Sequence, residues 1–237
     1  MPGEGGPTGA GPAVTYPPVE PPAPRVELPD ARRANREGIV ALSRTMTPGL
    51  VLQAYRKGIF PWPIMQGVVP WASPDPRAIF PLEPRRPWPR HVNRARRLGY
   101  TVTFDRAFRE VMTGCGDARA EGTWITADVL ATYAELHALG WAHSVDVWAE
   151  GQLAGGLYGL AVGSLFAGES MFHLRTGASK VAFVAVVERL RERGFTLFDV
   201  QVMSPHLATL GCIEIPRSEY LRRVEAAIEQ PKPFQVA

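Results

Sequence analysis

The chain has 237 residues, 46% hydrophobic and 21% charged, with a formal net charge of +3 and an isoelectric point near 9.1. These values belong to a folded chain with a sizeable core and exclude an intrinsically disordered protein; no run reaches the ~18 apolar residues of a membrane-spanning helix, so a membrane partner is not expected. The start lacks a secretory signal, and Cys115 and Cys212 stand apart. The expectation is therefore a cytoplasmic, reducing setting without a disulfide scaffold or zinc ribbon.

Residues 1–36 are rich in Pro and Gly with almost no apolar periodicity, which predicts a disordered leader. Residues 37–77 form a candidate small N-terminal domain. Thr47 and Pro48 read as the N-cap and first position of a helix that Gly58 stops. The rigid loops Phe60-Pro61-Trp62-Pro63 and Ser73-Pro74-Asp75-Pro76-Arg77 follow. Residues 78–230 form the larger unit, and 231–237 a tail.

The larger unit opens with a basic run holding Arg90, Arg94, Arg96 and Arg97. All but three of the 26 basic residues are arginine, either from codon bias or because the guanidinium suits phosphate and RNA contact. A strand at 100–104 and helices at 107–112 and 126–139 come next. Alternation predicts strands at 143–148, 152–162 and 165–172 joined by tight turns. Then follow a helix at 181–193, a strand at 195–201, a short helix at 206–210, a strand at 212–215 and an amphipathic helix at 218–229. Antiparallel strands followed by helix, strand, helix and strand predict an α+β fold.

No Gly-x-x-x-x-Gly-Lys-Ser/Thr loop and no dinucleotide fingerprint occurs, the five histidines lack metal-ligand spacing, and Gly168-Glu169-Ser170-Met171-Phe172 is not a nucleophile elbow. No metal and no cofactor is expected. What remains is polar groups inside apolar strands. Asp199 and Gln201 are two apart in Phe195–Gln201 and so share a face, and Glu169 sits in Phe166–Phe172. Buried carboxylates cost several kcal/mol unless paired. They are either satisfied structurally, with Lys180 or Arg175 as partners, or functional.

At these residues the chain resembles a known family. Gly58-Ile59-Phe60-Pro61-Trp62, Ser73-Pro74-Asp75-Pro76-Arg77, Gly122-Thr123-Trp124-Ile125-Thr126, Gly155-Gly156-Leu157-Tyr158-Gly159, Leu165–Phe172, Ala178-Ser179-Lys180, Asp199-Val200-Gln201 and His206–Gly211 occur in the order found in leucyl/phenylalanyl-tRNA–protein transferases. The resemblance implies a GNAT-like acyltransferase domain behind a small N-terminal domain. It implies transfer of Leu or Phe from aminoacyl-tRNA to the α-amine of proteins beginning with Arg or Lys, feeding N-degron degradation. It also places catalytic roles on Asp199 and Gln201, and substrate contact on Glu169, Trp62 and Trp124. The donor side chain would meet Leu157, Phe166, Met171, Phe183, Val186 and Phe198, and the acceptor stem Arg90, Arg94, Arg96 and Arg97. A monomer is expected.

The implied chemistry suits the residues. An aminoacyl ester is already activated, so no ATP site is needed, and an α-amine of pKa ~7.7–8.0 is partly neutral at cytosolic pH. The Gln201 carbonyl would orient the amine, with Asp199 polarising that amide. Two other readings stand beside it: a GNAT-type acyl-CoA N-acyltransferase, for which Arg175–Lys180 lacks the expected glycine pattern, and a catalytically silent tRNA-binding module.

Overall fold

In the computed structural model, residues 15–62, 67–118 and 125–235 are described. A three-stranded antiparallel sheet in the order β1-β3-β2 comes from β1 (Ile39–Ser43), β2 (Phe60–Pro61) and β3 (Val69–Ala72). Helix α1 (Pro48–Arg56) lies between β1 and β2 in the chain; the Thr47 hydroxyl accepts from the Leu50 amide at 3.3 Å, and Pro48 supplies a first-turn residue that needs no amide partner. Its Leu50, Val51, Leu52, Ala54 and Tyr55 are buried.

Strand β4 (Arg77–Phe80) does not belong to that unit. The sequence reading ended a loop at Arg77, but here Arg77 opens an edge-to-centre connection into the larger sheet. That sheet also holds β5 (Thr101–Phe104), β6 (Ala142–Ala149), β7 (Gln152–Val162), β8 (Leu165–His173), β9 (Leu197–Gln201) and β10 (Ile213–Ile215), in the order β10-β4-β9-β8-β7-β6-β5. All pairs are antiparallel except β8–β9, which α5 (Ala178–Glu192) connects. The remaining helices are α2 (Arg90–Ala95), α3 (Phe108–Asp117), α4 (Ala127–Ala138), α6 (Pro205–Leu210) and α7 (Arg217–Ile228). The architecture is α+β.

Strand alternation divides the buried residues between two layers. Ile79, Leu165, Ala167 and Leu197 face a cluster with residues of α1, α3, α4 and α7. Ala78, Phe80, Phe166, Phe198 and Val200 face the other cluster, roofed by α5 and α2. The first cluster runs from Leu50 and Trp71 to Leu165 and Tyr220, so the N-terminal unit and the larger sheet share one core.

The expectation of a structureless leader to residue 36 is corrected from Thr15 onward. Val19 donates its amide to the Leu139 carbonyl at 2.8 Å and accepts from the Trp141 indole at 2.8 Å. The Leu28 amide donates to the Gln53 side chain at 2.7 Å, and Leu28 and Ala31 are buried. The physical reason is that a few apolar residues and external hydrogen-bond partners suffice to dock a segment that has no periodicity of its own. The expectation for residues 1–14 lies outside the described residues. The tail also docks: Phe234 is buried and stacks on His143 at 4.5 Å and on Phe166 at 5.1 Å.

Candidate active site at the splay of two strands

Strands β8 and β9 pair only at Leu165–Leu197, Phe166–Phe198 and Ala167–Asp199. Beyond these the strands part, and the opening is where Glu169 and Gln201 meet. Each is presented by a local irregularity. On β8, Gly159 pairs with Gly168 and Tyr158 with Ser170, so Glu169 is an extra residue in a bulge. On β9, Ile79 pairs with Asp199 and Ala78 with Gln201, which bulges Val200. Gln201 has φ of +66°, a left-handed conformation that costs a non-glycine residue ~1–2 kcal/mol. Bulges bend a strand and re-aim its side chains, and backbone strain of this kind collects at functional sites.

The Gln201 amide nitrogen donates to the Tyr55 hydroxyl at 3.3 Å and to Glu169 Oε1 at 3.4 Å. The Tyr55 hydroxyl itself donates to Glu169 Oε1. With the amide nitrogen engaged, the Gln201 carbonyl oxygen is the end left for another group. Burial pushes the Glu169 carboxyl up to about 7, against the hydrogen bonds from Tyr55, Gln201 and Tyr133 that favour its charged form. Burial, reinforced by the Glu169 charge, also raises the Tyr55 and Tyr133 phenols well above their usual range, so both stay protonated donors.

Asp199 is fully buried. Its Oδ1 accepts from Arg77 Nε at 2.9 Å and from the Gln201 backbone amide at 2.9 Å; its Oδ2 accepts from Arg77 Nη2 at 2.6 Å and from the Tyr220 hydroxyl at 2.8 Å. These occupy the carboxylate's four lone-pair directions. Burial works against the charge on Arg77, but Asp199 outweighs it and raises the guanidinium's proton affinity. Phe60 and Tyr220 sandwich the guanidinium at 4.5 and 4.3 Å. Two sequence expectations are thereby corrected. The cation beside Asp199 is Arg77, not Lys180 or Arg175, because antiparallel β4 lies against β9. Asp199 binds the backbone amide of Gln201, not its side-chain amide, because the bulge turns that amide toward it.

The structure brings Asp199, Gln201 and Glu169 together on the α1–α7 face of the sheet. Trp62 is half-buried at the rim of that core, with its ring 5.7 Å from Phe60. Trp124 lies outside the described residues. Leu157, Phe166, Phe183, Val186 and Phe198 are buried in the opposite, α5-side cluster, where Phe198 packs on Phe166 at 5.7 Å and on Phe183 at 5.3 Å. Half-buried Met171 packs against the same cluster. Arg90, Arg94, Arg96 and Arg97 are exposed on and just after α2, with Arg96 bonded to Glu188 at 2.9 Å.

Sequence reasoning missed Tyr55, Tyr133, Tyr220 and Arg77. The tyrosines are buried residues of α1, α4 and α7, and nothing next to them in the chain marks them as polar partners of a site. Arg77 had a visible signal, a charged residue immediately before Ala78-Ile79-Phe80, but its partner is 122 residues away.

A family model described as leucyl/phenylalanyl-tRNA protein transferase matches residues 80–225, and the model of that protein's N-terminal domain matches residues 44–75. The relative from Shewanella denitrificans, a leucyl/phenylalanyl-tRNA–protein transferase, is 45% identical over 87% of this chain and 89% of its own. The one from Stutzerimonas stutzeri is 46% identical over 87% of this chain and 93% of its own. The one from Herpetosiphon aurantiacus is 45% identical over 79% of this chain and 97% of its own.

Proposed function

The chain belongs to the leucyl/phenylalanyl-tRNA–protein transferase family, and on that premise we propose that the splay of β8 and β9 transfers an aminoacyl group from tRNA to a protein α-amine. The observation that carries the mechanism is the Glu169–Gln201 pair, bonded across the opening with its polar ends inside an apolar sheet. The donors are Leu- and Phe-tRNA, the acceptors are proteins beginning with Arg or Lys, and the product enters the N-degron route in the cytoplasm. The enzyme works as a monomer. The larger unit is GNAT-like, a reading supported by the antiparallel run β5–β8 and by the parallel, diverging pair β8–β9 joined through α5.

The amine nitrogen attacks the ester carbonyl carbon, the bond from that carbon to the ribose oxygen breaks, and the ribose oxygen leaves with a proton. Glu169, with its carboxyl near 7, accepts the proton that the amine sheds and passes it to the departing ribose oxygen, since an acid–base group works best when its pKa lies near the operating pH. The Gln201 carbonyl accepts the amine's other hydrogen and aims its lone pair. Asp199, saturated by its own partners, touches no substrate; it is a positioning residue that locks the strained backbone of Gln201. Trp62 and Trp124 stack the terminal adenine. Phe166, Phe183 and Phe198, with Leu157, Val186 and Met171, wall the donor side chain on the α5 side of the splay, where their packing must part to admit it.

The test is transfer of labelled leucine from Leu-tRNA to an Arg-starting peptide. The wild-type chain is expected to transfer it, and Gln201→Ala to slow transfer roughly 10²–10³-fold with tRNA binding retained. A wild-type chain that binds tRNA yet transfers nothing would be a binding module, and thermal stabilisation by acetyl-CoA would favour the acyl-CoA reading.

A further inference from the structure

A cavity that the chemistry above does not use lies beside the β7–β8 turn. It encloses about 330 Å³ between the docked N-terminal segment, the α4–β6 turn and the C-terminal tail. That size is at the lower end of small-molecule sites. Its walls are apolar: Val162 of β7, Ile228 of α7, Phe234 of the tail and the ring of Trp141. Trp141 spends its indole N–H on the Val19 carbonyl at 2.8 Å, so it offers the cavity ring surface and no donor.

His143 and Gln235 also line this space, and Asp105 sets what each presents to it. The His143 side chain is 4% exposed, and its Nδ1 lies 2.8 Å from Asp105 Oδ2. Burial works against the charge on Asp105, but His143, Gln235 and His137 outweigh it and hold the carboxyl below its usual range. An ionised carboxylate only accepts, so Nδ1 is the donor, and the neutral imidazole presents Nε2 as an acceptor. The Gln235 amide nitrogen donates to Asp105 Oδ2 at 2.6 Å and to the Phe104 carbonyl at 3.1 Å, which leaves its carbonyl oxygen as the other end. Neither His143 Nε2 nor Gln235 Oε1 has a hydrogen-bond partner among the described residues.

The charges around the cavity cancel. Arg56 lies 5.2 Å over the Trp141 ring and is bonded to Glu20, and Lys232 and Glu229 line the same wall with opposite sign. The site therefore calls for a neutral ligand. An acceptor left unmet among apolar walls is costly, and a flat ring with a donor on its edge meets it while covering those walls. We propose that this cavity binds a small neutral aromatic molecule carrying an N–H or O–H donor, of the indole or phenol class, with the donor on His143 Nε2 and Gln235 Oε1 and the ring against Trp141, Ile228 and Phe234. The assignment is independent of the aminoacyl-transfer reading.

The experiment titrates the full chain with indole and with benzofuran, which has the same shape and an oxygen in place of the N–H. It is run at about pH 8.5, where a free imidazole is neutral. Calorimetry gives the affinities, and the ring-nitrogen resonances of His143 report the contact. Indole is expected to bind roughly tenfold tighter than benzofuran and to shift the His143 Nε2 signal. His143→Asn keeps a side-chain N–H for Asp105 and removes Nε2, and Gln235→Met removes the carbonyl. Each is expected to cut the preference for indole by roughly threefold or more. Melting curves without ligand show whether each variant folds, and if neither does, the wild-type comparison and the His143 signal decide alone. Equal affinity for the two rings, binding of neither up to their solubility, or an indole preference without the Nε2 shift overturns the proposal. A preference that survives intact in the folded variants places the donor elsewhere and overturns it equally. Leucine transfer enters none of these readouts, so failure of the transferase reading would leave the test standing.

Discussion

At Gln201 strain and chemistry coincide in one residue, and they can be separated. Its left-handed backbone favours glycine, while its amide closes the network with Tyr55 and Glu169. Gln201→Gly is expected to hold or raise the melting temperature, by up to about 1 kcal/mol of stability, while transfer falls as in Gln201→Ala. A glycine variant that is both unstable and slow would mean that the amide acts through the fold. At Glu169 the raised carboxyl sets a pH window. Its unfolded reference is 4.5 and its folded value about 7, so the protonated form is favoured in the native state. Its contribution to stability is whole below 4.5 and is lost as pH rises through 7. Activity runs the opposite way, because proton acceptance needs the carboxylate. Transfer is expected to rise with pH through about 7, and Glu169→Gln to remove that limb and leave only the titration of the acceptor amine near ~7.7–8.0. A pH–rate series on both proteins checks this, and an identical acid limb in the variant would reject the role. The Arg77–Asp199 pair makes a prediction of another kind. Arg77→Met strands a buried carboxylate, with an expected loss of about 3–5 kcal/mol in urea unfolding. A loss below ~1 kcal/mol would show that the pair is not sealed from water as the structure has it.

Among the elements, β8 and β9 do most to make the site, because they pair for three residues and then separate. Continued pairing would have satisfied both strand edges and closed the space between Glu169 and Gln201. The tail supports the same region from behind. Phe234 sits among Phe104, His143, Phe166 and Phe195, and Gln235 donates to Asp105 at 2.6 Å. Phe234→Ala leaves a cavity against Phe166, with an expected cost of about 3–5 kcal/mol, or a fall of roughly 6–20 °C in melting temperature. A melting curve superimposable on wild type would mean that the tail is dispensable to the core.

The whole molecule is held by a core that crosses from one sheet to the other. Asp199 on β9 is fixed by Arg77 on β4, and Arg77 is sandwiched by Phe60 of the N-terminal unit and Tyr220 of α7. The site therefore depends on both units being in place. The segment around Leu28 and Ala31 seals the side of that core nearest α1 and α7. Deleting residues 1–36 is expected to lower the melting temperature and to slow transfer in parallel, since Leu28 is hydrogen-bonded to Gln53 and Lys57 of the α1 region. Full activity with unchanged melting would show that the docked segment is decoration.

Local signals determined much of this protein without any structure. Period-two runs, glycine stops and the Thr47-Pro48 cap located most strands and helices, because those cues act between neighbours in the chain. Asp199, Gln201 and Glu169 were legible as polar groups misplaced in apolar strands, and the motif order identified the family. What only the tertiary structure decided was contact between distant parts: Arg77 as the partner of Asp199, the phenols around Glu169, the docking of residues 15–36 and of Phe234, and the bulges that aim Glu169 and Gln201. Pairing register and burial depend on which strand lies alongside. A strand's own residues do not encode an extra residue opposite its neighbour, nor a cation more than a hundred positions away.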